Sequence, residues 1–71
     1  MADGAEMLAT ITATNRTAMD EELNAAVHAA TKRAIRDGRR GILVTRVDFA
    51  SFTVELSPDV PYGFTYEKQR F

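Results

Sequence analysis

Ile42-Leu43-Val44-Thr45-Arg46-Val47, then Asp48-Phe49-Ala50-Ser51, then Phe52-Thr53-Val54-Glu55-Leu56: this stretch decides the fold of the chain. Its two ends are rich in β-branched and aromatic residues, which favour strands. A four-residue polar-edged connection between such runs suits a β-hairpin. Pairing Val47 with Phe52 sets Thr45 opposite Val54 and Leu43 opposite Leu56. One face then carries Leu43, Thr45, Val47, Phe52, Val54 and Leu56, the expected core side. The other carries Ile42, Val44, Arg46, Thr53 and Glu55. Because side chains alternate, a one-residue slip exchanges the two sets.

Upstream, Thr17 with Asp20 three residues on approximates a capping box. Met19, Leu23, Ala26, Val27, Ala30 and Ala34 then recur in one stripe at helical spacing, which predicts a helix over 18–37. Asp20, Glu21 and Glu22 near its start and Lys32, Arg33 and Arg36 near its end complement the helix dipole. Gly38 supplies a residue that takes positive φ and stops the helix. Residues 7–14 (MLATITAT) alternate weakly and are expected to form an edge strand, with helix as the competing reading. Residues 1–6 read as a loose N-terminus.

Downstream, Ser57-Pro58-Asp59 has the residues of a type I turn, and Pro61 holds Val60 extended. Tyr62, Phe64 and Tyr66 alternate with Gly63, Thr65 and Glu67, the pattern of a short fourth strand or of an aromatic arm over 58–71. The expected fold is therefore α+β, one small domain over 7–71. A small antiparallel sheet in the order β-α-β-β, with that fourth strand as an option, carries one amphipathic helix on one face.

The chain has 71 residues, no Cys and a single His. Disulfides and thiolate or histidine-rich metal sites are thereby excluded, and no metal or cofactor is expected. A core this small commonly needs a further support, and oligomerisation is the one that remains. A homo-oligomer, with a dimer as first guess, follows. The apolar side chains that the helix does not use are Ile35, Ile42, Val44, Tyr62, Phe64 and Tyr66. They form the expected partner or oligomer interface, since aromatic anchors are enriched at interfaces.

The net charge of −1 gives no bulk attraction to nucleic acid or acidic membranes. No apolar run approaches the length of a membrane span, and the acidic start lacks the pattern of a secretory signal; a cytoplasmic location is the expectation. Catalysis is not expected either. His28 falls opposite the apolar stripe beside Lys32, the acidic triplet is spread around the helix, and Gly38-Arg39-Arg40-Gly41 matches no phosphate-binding loop.

The local anomaly is a run of cations. Arg36, Arg39, Arg40 and Arg46 are the candidate anion or nucleic-acid contacts, Arg being suited to bidentate phosphate binding, with Phe49 at the hairpin tip placed to stack on a base. Against this stands a pI near 5.7, well below that of a typical nucleic-acid domain. The function expected first is a non-catalytic, self-associating protein-interaction module, and the alternative is a nucleic-acid-binding accessory protein. The β-α-β-β order and the length also resemble dodecins. With no Trp to stack on a flavin and no dodecin motif matched, that likeness of topology brings neither cofactor nor function.

Overall fold

The structure is a computed structural model that describes residues 4–70. Four strands and one helix follow in the order β1 (Glu6–Thr12), α1 (Arg16–Asp37), β2 (Arg40–Asp48), β3 (Ser51–Pro61) and β4 (Thr65–Gln69). The sheet order is β1-β3-β2-β4. β3 pairs antiparallel with both β1 and β2, while β4 joins β2 in parallel. The fold is α+β as expected, but the fourth strand makes the sheet mixed.

α1 is capped two residues before the Thr17 cap that the sequence suggested. Asn15 is the N-cap, in an extended conformation with φ −141°, and its Oδ1 accepts from the Ala18 N–H at 2.8 Å. Asn satisfies an orphan first-turn donor as well as Thr does. Asp20, Glu21 and Glu22 consequently lie beyond the first turn, which holds no acidic residue. At the other end Gly38 adopts φ 71° and donates to the Ala34 carbonyl at 2.8 Å, closing the helix as anticipated. Met19, Ala30 and Ala34 are buried, and Leu23, Ala26 and Val27 pack partly buried against the same cluster. The predicted stripe is the one the helix uses.

The hairpin register differs from the expected one, and the reason is local. Asp48 pairs with Ser51 across a two-residue turn, Phe49-Ala50, and the Asp48 Oδ1 accepts from the Ala50 N–H at 2.8 Å. Continued without interruption, that turn would set Val47 opposite Phe52. Instead Arg46 pairs with Phe52, so Val47 is an extra residue in a β-bulge. From there Val44 faces Val54 and Ile42 faces Leu56. The helix side of β2 is therefore Ile42 and Val44, not Leu43, Thr45 and Val47. Ile42 is 4% and Val44 3% exposed, beside fully buried Val54 and Leu56. From β1, Ile11 completes this layer, with Ala9 and Leu8 packed against it, the latter at a second bulge between Met7 and Ala9.

Residues 57–59 do not end the hairpin. β3 runs on to Pro61, with a wide irregularity in which Gly41 pairs with Ser57 and Arg40 with Pro61. The Ser57 hydroxyl accepts from the Asp59 N–H at 3.2 Å, a local turn inside the strand, and Val60 is buried. The chain then crosses the start of β2 to reach its far side. Phe64 N–H donates to the Pro61 carbonyl at 3.0 Å, with Gly63 at φ 89°, as the third position of a type II turn requires. Gly41 lies under this crossing: a β-carbon there would collide with the Pro61 carbonyl and the Val60 side chain. Of the expected loose terminus, residues 1–3 lie outside the described residues, whereas Glu6 opens β1.

Two consequences can be measured by urea denaturation. Ile42→Ala is expected to cost about 2–5 kcal/mol, whereas Leu43→Ala, on the opposite face, is expected to cost roughly 1 kcal/mol or less. Equal losses would contradict the bulged register. Gly41→Ala is expected to cost about 1–3 kcal/mol by overpacking the crossing, with amide exchange accelerating first in β4.

Candidate functional site

The helix rests on β1, β2 and β3, and every residue of β4 is exposed. The opposite face of the sheet carries no second layer among the described residues. Pairing fixes what it displays. Met7 lies opposite Glu55, Glu55 opposite Leu43, and Leu43 beside Tyr66. Leu43 and Val47 are half-buried by their neighbours alone, while Tyr66 is 45% and Phe64 56% exposed. The Phe64 and Tyr66 rings meet edge to face, with centroids 6.2 Å apart, in one of the favoured aromatic geometries. Thr10, Thr45, Thr53 and Lys68 share this face, and Thr45 is buried as a short side chain in the middle of the sheet.

The expected interface residues thus divide. Tyr62, Phe64 and Tyr66 are exposed, and so is Ile35 at 64%, but Ile35 projects from the helix, remote from the bare face. Ile42 and Val44 are core residues beneath the helix and are not available to a partner; the bulge at Val47 turned them inward. In their place the bare face presents Leu43 and Met7. Their common side was not readable from β2 alone, which carries apolar residues at both parities.

The cation run also separates. Arg40, at the start of β2, is held on three sides. Its Nη2 lies 2.7 Å from Asp37 Oδ1 and 3.2 Å from Glu6 Oε1, and its Nη1 donates to the Gly4 carbonyl at 2.7 Å. Arg33 approaches the same Glu6 at 2.9 Å. Asp37 in turn accepts from the Arg40 and Arg39 backbone N–H groups at 2.8 and 3.2 Å. These contacts tie the N-terminal strand to the end of α1 and commit Arg40 to structure. Arg36 and Arg39 are exposed near it. Arg46 is six residues further along β2, about 20 Å at the usual rise, with its guanidinium carbon 5.6 Å from the Phe52 ring centroid in a cation–π contact. The four arginines do not form one patch.

Near Arg46, a hollow of about 630 Å³ opens between the start of α1 and the hairpin turn, bordered by Arg16, Met19, Asp20, Phe49 and Phe52. It contains no imidazole, and its amide, Asn15, is engaged in capping. His28 is exposed on the helix. Among the described residues no group of three or more His, Cys, Asp or Glu is placed to hold a metal ion, and no helix is long and apolar enough to cross a membrane.

The Asp37 carboxyl is held far below the ordinary carboxylate range, first by the side-chain hydrogen bond from Arg40 and then by the Arg40 backbone N–H. A group depressed in the folded state stabilises it above the unfolded pKa, near 4, and this contribution is lost as pH falls further. Asp37→Asn is expected to lower stability at neutral pH and to flatten its decline below about pH 4, as read by urea midpoints at several pH values.

Compared with known protein families, with curated proteins and with solved structures, the chain matches none.

Proposed function

We propose that the chain is a small non-catalytic protein-interaction module that self-associates through the part of the sheet its single helix leaves uncovered. The observation that carries this reading is the one-sided construction of the domain. Helix and sheet close one core, and the other sheet face presents Met7, Leu43, Phe64 and Tyr66 with nothing packed over them among the described residues. Antiparallel sheets do expose one face, but such a face is ordinarily polar. Here aromatic and aliphatic groups lie among threonines, with Glu55 and Lys68 bringing charges of both signs. That mixture resembles the composition of interfaces between proteins. The small size of the chain supports the same reading, because a core of this extent gains from association.

Sedimentation velocity over a dilution series from about 100 µM to about 1 µM tests it. The expected result is a species of twice the 7.9 kDa chain mass at the upper end, dissociating on dilution. Replacing Phe64 and Tyr66 together by Ala is expected to weaken association roughly ten-fold or more. A single-chain mass throughout the series would overturn the reading.

A further inference from the structure

We propose that a second copy of the chain pairs with the outer edge of β4, antiparallel and in one register, with Tyr66 opposite its own counterpart across a two-fold axis. This rests on the self-association reading and names the edge and the register through which it occurs.

The backbone of β4 supplies the first part. Ile42 N–H donates to the Phe64 carbonyl and Arg70 N–H to the Arg46 carbonyl, each at 3.0 Å. Along a parallel ladder the residues alternate, so Phe64, Tyr66, Lys68 and Arg70 turn their amides toward β2. Thr65, Glu67 and Gln69 turn theirs outward, at the margin of the sheet. An outward row of that kind is a template for another strand. β1, the strand at the opposite margin, is broken by the bulge between Met7 and Ala9, a device that discourages edge pairing. β4 has no bulge and no proline.

Side chains supply the register. A two-fold axis normal to the sheet pairs each residue with one of like orientation, so a residue must sit opposite itself. Centring on Glu67 brings two carboxylates face to face, and centring on Lys68 brings two ammonium groups together; like charges directly opposite destabilise a sheet. Centring on Thr65 would draw Gly63 into the ladder, where its φ of 89° belongs to the turn. Centring on Tyr66 opposes no like charges, and its hydrogen-bonded pairs close on Thr65 and Glu67 before Gly63 is reached. Thr65 and Glu67, both outward-facing, become opposite partners and exchange both backbone hydrogen bonds in each of two symmetric pairs. Tyr66 meets the second Tyr66 at the close, non-hydrogen-bonded position, where aromatic pairs contribute most. Phe64 meets Lys68 of the second copy on both sides of the axis, setting cation against ring. The result is one continuous eight-stranded sheet with both helices on the same side, and the two bare faces join into a single surface.

The absence of cysteine makes the register directly readable. Single substitutions Tyr66→Cys, Glu67→Cys, Lys68→Cys and, on β1, Thr10→Cys are oxidised under mild conditions at micromolar concentration. Non-hydrogen-bonded opposite residues lie close enough for a disulfide. Tyr66→Cys is expected to cross-link at least roughly ten-fold faster than the other three. Fastest cross-linking of Glu67→Cys or Lys68→Cys would overturn the register, and of Thr10→Cys the choice of edge. In parallel, Glu67→Pro removes an outward N–H while sparing the ladder to β2, a position at which edge strands accept proline. It is expected to sediment as a single chain with an unchanged circular dichroism spectrum. If Glu67→Pro remains dimeric, the edge proposal fails while self-association stands. If the unsubstituted chain is itself a single chain at about 100 µM, both fail.

Discussion

The bulge at Val47 is the constraint on which the rest of the molecule depends. β2 carries apolar residues at both parities, Ile42 and Val44 on one and Leu43 and Val47 on the other, so its own pattern permits either face to be buried. The tight Phe49-Ala50 turn, braced by the Asp48 carboxylate, starts the ladder in one register, and the extra residue shifts it by one. Ile42 and Val44 then meet Leu56 and Val54 under the helix. The same shift brings Arg46 to the helix side, which would bury a charge if it occurred in mid-sheet. It falls at the end of the sheet, where the guanidinium lies over Phe52 and stays exposed. Leu43, by the same step, is sent to the bare face. One inserted residue therefore chooses both the core and the surface left over.

What could be read from the sequence follows from where the physics is local. The helix was legible because six apolar residues repeat at one spacing and Gly38 stops them. Its start was misplaced by two residues because Asn15 and Thr17 are both competent caps, and only the Asn15 hydrogen bond to Ala18 distinguishes them. The strands of the hairpin were legible from composition, and their register was not, since a bulge leaves no mark in a two-sided apolar strand. Of the residues expected at an interface, the aromatics are exposed as their alternation in 62–66, a short-range signal, implied. Ile42 and Val44 were lost with the register, and Leu43 and Met7 were missed with it. The arginines are close in sequence, but a strand separates Arg40 from Arg46 by most of the sheet's length.

A core built this way is thin. Ala30 and Ala34 let the helix approach β2 and β3 closely but offer little area, so Ile11, Ile42, Val44, Val54 and Leu56 carry most of the apolar burial. The Arg40 cluster adds attachment where the apolar layer ends. It joins the strand before the helix, the helix terminus and the strand after it through Glu6, Asp37 and the Gly4 carbonyl. Removing the guanidinium would leave Asp37 sequestered without its counter-ion, the costly way to break such a pair. Elements that a larger domain would hold by packing are here held by charge and by hydrogen bonds to one arginine.

The crossing above Gly41 completes the logic of the surface. A chain leaving β3 beside β2 could have continued as a tail. Instead Pro61 and the Gly63 turn carry it over the beginning of β2, and the lack of a side chain at Gly41 leaves room for Val60 and the Pro61 carbonyl to pass. β4 then descends the far side of β2 in parallel, a geometry that usually requires a long crossover. It is reached here by a short hop because β3 has already returned the chain to the right end of the sheet. That route adds a strand without adding core, since all of β4 stays exposed. Its contribution is a margin: an unbulged strand that aligns Phe64 and Tyr66 on the bare face and sets Glu67 and Lys68 so that two of the symmetric pairings repel. Edge charges of this kind suppress indiscriminate pairing. Placed next to one another and next to an aromatic pair, they also discriminate among registers, which a uniformly polar edge would leave degenerate.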